Sequence, residues 1–243
     1  ASSAPRKIAL VFGTRPEAIK LAPLYLELKR HADFEPLIWA TGQHREMLDQ
    51  VMAAFSLQAD RDFNLMKPGQ TLTAVTMAVL DAMDSAFRDE RPDCVITQGD
   101  TTTAFAGALA AFYAQIPVGH VEAGLRTQTK YSPFPEEMNR RLATRLADFH
   151  FAPTERARAN LLEENVPADS IWVTGNTVID ALDIKARQTR QARPCLPAEF
   201  PLAEVEAGRR MILITGHRRE NFGAGFESIC RAIGELARRY PAA

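Results

Sequence analysis

The sequence predicts an α/β protein with parallel, doubly wound sheets, and two observations predict it. Short apolar, β-rich runs alternate with stretches of helical periodicity along most of the chain. Strands alternating with helices build βαβ units and a mostly parallel sheet. The first run, Lys7–Phe12 (KIALVF), is almost continuously apolar, as a strand covered on both faces should be.

Lys7–Phe12 is a strand, and a helix runs from Pro16, placed at the first helical position, to about Arg30. Glu35–Thr41 is a strand and Gln43–Phe55 a helix. Thr71–Glu90 is a long helix. Asp93–Thr97 is a strand followed by a small-residue helix, Thr101–Ala114. Pro117–Val121 is a strand and Pro135–Leu146 a helix. Asp148–Ala152 and Glu155–Glu164, then Ile171–Thr174 and Val178–Arg190, repeat the pattern. These six β-type runs before residue 190, counting the short ones, make a complete doubly wound domain.

Composition shifts at 191–210, where Pro194, Pro197 and Pro201 fall within eight residues. This reads as a linker or crossing segment. Met211–Thr215 is a further strand and Gly225–Arg239 a helix. One strand and one helix cannot cover each other's apolar faces. Residues 211–243 therefore read as the start of a second, incomplete domain, with an eighth strand in the first sheet as the alternative. The organisation expected is 1–190, a crossing segment 191–210, and 211–243.

The length, 243 residues, spans one to two domains at roughly 100–200 residues each. Lys plus Arg is 29 against 30 for Asp plus Glu, a formal charge of −1. Nucleic-acid binders usually carry a basic excess, so that class is disfavoured. No run of 18 apolar residues predicts a membrane span, and Ala1–Lys7 lacks the apolar stretch of a secretory signal. The widely spaced cysteines Cys94, Cys195 and Cys230 form neither a disulfide framework nor a CxxC metal pair. They fit a reducing compartment, most simply the cytoplasm.

Ligands of open parallel sheets bind at the carboxyl ends of the strands. The residues just past each strand are therefore the test. After the first comes GTRPEAIK (13–20): a turn, Arg15, a helix start whose free N–H groups suit an anion, and Lys20 one turn inside. A plain turn with surface charges is the alternative. No GK[ST] or dinucleotide fingerprint is present. After 93–97, Asp100 stands at a strand end and helix start, where it could equally be a helix cap. Ala104, Gly107 and Ala108 let that helix approach the sheet. After 117–121 comes Glu122, a carboxylate at the end of a buried strand, costly unless paired or used. Arg126, four residues on, is a candidate partner. His120, within the strand, reads as a satisfied core histidine. In SPFPEEMNRR (132–141), Glu136 and Glu137 fill a first helical turn, where they either complement the macrodipole or act. Glu136 and Arg140 can pair at i, i+4. His217 comes after the 211–215 strand, where it either faces an interdomain cleft or is a solvated loop residue. Arg218 and Arg219 read as surface charges. GxSxG and HExxH are absent, and GAGFES (223–228) lacks the third glycine of a dinucleotide loop. Asp100, Glu122 and Glu136 thus share one sheet edge with Arg15, Lys20 and His217. Carboxylates suit proton transfer and cations suit a diphosphate leaving group.

Seven blocks together, VFGTRPEAIKLAPL (11–24), TGQHREMLDQV (41–51), QGDTTTAFAGALAAFY (98–113), VGHVEAGLRT (118–127), YSPFPEEMNRR (131–141), VTGNTVIDAL (173–182) and ILITGHRRENFG (212–223), closely resemble the non-hydrolysing UDP-N-acetylglucosamine 2-epimerases of bacteria. The resemblance implies two Rossmann-like domains of GT-B type with the site in their cleft. It implies interconversion of UDP-N-acetylglucosamine and UDP-N-acetylmannosamine without NAD or an obligatory metal, in a cytoplasmic homodimer that feeds surface polysaccharide synthesis. It assigns acid/base roles to Asp100, Glu122 and Glu136 and nucleotide contacts to Arg15, Lys20 and His217. Gln43 and His44 resemble part of a second substrate site that activates some members, although Gln43 also suits a helix start. Family members continue through further strands, which are not in this sequence.

Overall fold

The computed structural model describes residues 4–42, 45–65, 67, 69–192, 196, 200–214 and 224–240. The chain divides into two compact units, Ala1–Gln191 and Ala192–Ala243.

Among the described residues the first unit holds seven strands: β1 (Arg6–Phe12), β2 (Phe34–Ala40), β3 (Arg61–Asp62), β4 (Cys94–Gln98), β5 (Val118–Val121), β6 (Phe149–Ala152) and β7 (Ile171–Val173). Seven α-helices accompany them among the described residues: α1 (Arg15–Leu28), α2 (Arg45–Ala54), α3 (Leu72–Asp89), α4 (Thr102–Tyr113), α5 (Glu136–Leu146), α6 (Glu155–Glu163) and α7 (Val178–Gln191). The strands lie in the order β3-β2-β1-β4-β5-β6-β7, and every pairing is parallel. The order reverses between β1 and β4, and such a switch point opens a crevice at the strands' carboxyl ends.

Burial on both faces explains the apolar runs. Ile8, Leu10 and Phe12 point into one core with Leu21, Ile38, Leu48 and Val51. Ala9 and Val11 point into the other with Trp39, Val79, Met83 and Val95. Alternate side chains of one strand serve opposite faces, so neither face tolerates a polar residue. The small residues of α4 act as anticipated. A Cβ on Gly107 would lie 3.3 Å from Val11 Cγ1 and 3.6 Å from Thr97 Cγ2.

Local chemistry sets the helix starts. α1 begins with a capping box: Thr14 Oγ1 accepts from the Glu17 N–H while the Glu17 carboxylate reaches back. Threonine also caps α3, α4 and α6. Strand β3 has only two residues, Arg61 and Asp62, paired with Trp39 and Ala40. It is too short for any pattern to set its bounds.

The second unit contains α8 (Leu202–Glu206) and α9 (Ala224–Arg239). The helix expected at 225–239 is present. The segment expected as a pure crossing carries a helical turn and a half at 202–206. The strand expected from Met211 does not form over the described residues 211–214, which stand exposed without regular structure; Leu213 is 80% exposed. A strand exists through its ladder, and among the described residues none pairs with these.

Candidate active site

The turns after β1, β4, β5 and β7 converge at the carboxyl edge of the sheet. Glu122, one residue past β5, is the hub. Lys20 Nζ and Gln98 Nε2 each lie 2.5 Å from its Oε2. Asn176, in the turn after β7, donates to its Oε1 at 2.8 Å. The Glu122 backbone has φ of +67°. An L-residue pays about 1–2 kcal/mol there, and the three bonds to its carboxylate hold it in place. Strain of this kind concentrates at functional positions.

A second network surrounds Asp100. Arg140 pairs with its carboxylate and also lies 3.4 Å from Glu137. Asn139 donates to the Asp100 carbonyl at 2.9 Å. Glu137, fully buried, also accepts from Arg141 and from the Thr127 N–H. Burial alone would raise its carboxyl. Arg141, the Thr127 N–H and Arg140 outweigh that and hold it below the usual range. Asp100 does not cap α4: Thr101 does, accepting from the Ala104 N–H at 2.9 Å.

Two anticipated pairs are replaced. Arg126 does not meet Glu122. Its buried guanidinium grips Glu164 bidentately at 2.8 and 2.9 Å and donates to Thr144 Oγ1. Arg140 pairs with Asp100 and Glu137 rather than with Glu136. Glu136 opens α5, and its Oε2 is buried with no hydrogen-bond partner among the described residues.

His120 is buried and only half satisfied. Its Nε2 lies 2.7 Å from the Gly99 carbonyl, which makes Nε2 the donor. Nδ1 has no partner among the described residues. Burial lowers its pKa to about 4, so the ring is neutral at pH 7. Arg15 is exposed. Gln43, His44 and His217 lie outside the described residues. Gln98 and Asn176 join the site without having been singled out in the sequence, and Arg140, expected there only as a partner of Glu136, joins it through Asp100. Gln98 offered the signal that marked Glu122, a polar side chain at a strand's carboxyl end. Asn176, in the turn just past β7, offered a similar signal.

Among the described residues no group of three or more His, Cys, Asp or Glu side chains could hold a metal ion. None of their helices is long and apolar enough to cross a membrane.

The family model described as UDP-N-acetylglucosamine 2-epimerase matches residues 26–243. The UDP-N-acetylglucosamine 2-epimerase of Salmonella typhimurium is 54% identical over 236 residues, 95% of this chain and 62% of that protein. The crystal structure of UDP-GlcNAc 2-epimerase from Neisseria meningitidis bound to UDP-GlcNAc aligns with a TM-score of 0.84 and 49% identity, over 97% of this chain and 64% of that one. An S. aureus structure solved with UDP aligns with a TM-score of 0.83 and 45% identity, over 98% and 61%. The chain thus spans somewhat under two thirds of the length of these relatives. With the family model matching most of the chain and relatives about half identical along nearly its whole length, the chain belongs to the UDP-N-acetylglucosamine 2-epimerase family.

Proposed function

We propose that the protein of which this chain supplies the described site epimerises C2 of UDP-N-acetylglucosamine, giving UDP-N-acetylmannosamine, by elimination and re-addition of UDP. The C2 proton is not next to a carbonyl, so simple deprotonation would leave an unstabilised carbanion. Elimination avoids this. A base removes the C2 proton, its electron pair forms the C1=C2 bond, and the C1–O bond to UDP breaks. The glycal then takes a proton at C2 on its other face as the UDP oxygen bonds to C1 again.

The observation that carries this reading is the pairing of carboxylate with cation at one sheet edge: Glu122 with Lys20 and Asp100 with Arg140. The reaction needs proton carriers at C2 beside cations for a departing diphosphate. Asp100, Glu122 and Glu136 are proposed for the first task. Arg15, Lys20 and His217 are proposed for the second. Residues 211–243 begin a second Rossmann-like domain in this reading, after the crossing segment 191–210, and the protein works as a cytoplasmic homodimer. The relatives solved with UDP-GlcNAc and with UDP support the substrate class.

The test is turnover of UDP-N-acetylglucosamine by the full-length protein in D2O, without added NAD, monitored by NMR. UDP-N-acetylmannosamine carrying deuterium at C2 is the expected product. Product without deuterium at C2 refutes the elimination route. Free N-acetylmannosamine with UDP would mean that the glycal is hydrated instead of being rejoined.

A further inference from the structure

Glu17 takes no part in the proton transfers proposed above, yet its carboxylate sits between the two turns that flank the switch point. The residue is 1% exposed. Its Oε2 accepts the N–H groups of Gly13 at 3.1 Å and Thr14 at 2.7 Å. Its Oε1 accepts the Thr101 hydroxyl at 2.6 Å, across 84 residues of sequence. Thr101 Oγ1 meanwhile accepts the Ala104 N–H. The Thr101 proton goes to Glu17 and its lone pair to the start of α4.

One end of this bridge is the turn that carries Arg15 and launches the helix bearing Lys20. The other end is the turn that carries Asp100. The helix cap of α1 needs only an acceptor at position 17, and glutamine serves a capping box as well as glutamate does. The contact to Thr101 is different. A glutamine that keeps its oxygen on the Gly13 and Thr14 N–H groups turns its amide donors toward the Thr101 hydroxyl. That hydroxyl proton then loses its acceptor. A glutamine amide can reach Thr101 only by donating to the hydroxyl's second lone pair, so the short bond from the Thr101 proton, unlike the cap, requires the carboxylate.

We infer that Glu17 is a positioning residue, which sets the distance between the cations after β1 and the Asp100 carboxylate after β4. This rests on the elimination reading. Groups that must meet one substrate at two points lose rate steeply when displaced, about 100-fold for a misplacement near 1 Å.

The experiment uses the full-length protein and the variants Glu17→Gln, Thr101→Val, Thr101→Ser, the Glu17→Gln/Thr101→Val double variant and Asp100→Asn. Thermal midpoint, kcat and KM for UDP-N-acetylglucosamine are measured on each, well below its midpoint. Glu17→Gln and Thr101→Val should each lose roughly 10- to 100-fold in kcat, with KM within about threefold, as for an interaction felt mainly in the transition state. The double variant should be no slower than the slower single one, because the two side chains act as a unit. Thr101→Ser keeps the hydroxyl and should keep kcat. A folded Glu17→Gln protein with kcat within twofold of wild type overturns the inference, as do losses that multiply in the double variant. If Glu17→Gln does not fold, Thr101→Val decides alone, and wild-type kcat there overturns it. Asp100→Asn separates the two levels. If it is inactive while Glu17→Gln is normal, only the positioning role fails; if it is fully active, the underlying reading fails with it.

Discussion

Replacing Arg126 with leucine tests the staple that holds the turn after β5. The Arg126 side chain is 1% exposed and Glu164, its bidentate partner, 20%. The same guanidinium donates to the Leu125 carbonyl at 2.7 Å and to Thr144 at 3.0 Å. Removing one member of a buried pair costs about 3–5 kcal/mol, because the other charge is left uncompensated. Here Glu164 keeps some water and has Arg141 Nη1 at 3.6 Å. The expected loss is therefore about 2–3 kcal/mol, which is about 4–12 °C in midpoint for a domain of this size. The pH dependence has a definite sign. The Arg126 bond, ahead of the opposing burial, holds the Glu164 carboxyl below its ordinary value of 4.5. A lowered folded-state pKa gives stability that is present above the ordinary value and lost as the pH falls through the lowered one. The gap between wild type and Arg126→Leu should be full at pH 7 and narrow below about pH 4.5. Thermal unfolding of this chain, monitored by circular dichroism at both pH values, measures it. An unchanged midpoint at pH 7, or a gap that widens in acid, refutes the assignment.

Asp100→Asn in the full-length protein should lower turnover by about 100- to 10,000-fold, the usual worth of a proton-transfer group, with little change in melting; near-normal turnover removes Asp100 from the chemistry. Gly124 and Gly175 separate strain from collision. Both have positive φ, +88° and +80°, but a Cβ on Gly124 would lie 2.2 Å from the Ala157 carbonyl oxygen while one on Gly175 meets nothing within 4 Å. Gly175→Ala should cost about 1–2 kcal/mol in denaturant titrations, and Gly124→Ala at least twice that; equal losses would show that backbone conformation alone sets both. This 243-residue chain, assayed beside the full-length protein, should show little or no turnover, and comparable rates would overturn the need for the remaining strands.

The core strands were legible because their environment leaves few choices. β1 is covered on both faces, so Ile8–Phe12 had to be apolar at every position, and its bounds shifted by a single residue. α1 announced itself through Pro16, and the structure adds the Thr14–Glu17 capping box. Met211–Ile214 carries an equally good strand pattern and yet stands exposed without a ladder. The pattern records a tendency to be covered, whereas a strand also requires a hydrogen-bonding neighbour that local sequence does not contain. At the other extreme, Arg61–Asp62 is a strand only because β2 offers it an edge.

The same distinction runs through the site. Which carboxylates stand at strand ends could be read residue by residue: Asp100 and Glu122 follow β4 and β5 at the carboxyl edge, while Glu136 opens α5. Which cation each one meets could not. Both pairs drawn from sequence spacing, Glu122 with Arg126 and Glu136 with Arg140, gave way to partners far along the chain. Lys20 reaches Glu122 across 102 residues and Arg140 reaches Asp100 across 40. A spacing of four residues brings side chains together only when both lie on one helix. Glu122 lies in a turn with its backbone left-handed, which aims it back toward β4 and α1. Arg140 is on a helix, but the Asp100 turn offers it a second carboxylate while the buried Glu137 holds it from behind. In a parallel sheet the connections return every strand end to the same edge, so residues distant in sequence become neighbours there. The charges of such a site are set by topology before they are set by spacing. Glu17 shows this most directly: as a capping residue it is local, and as the acceptor of Thr101 it can be found only once β1 and β4 are known to be adjacent.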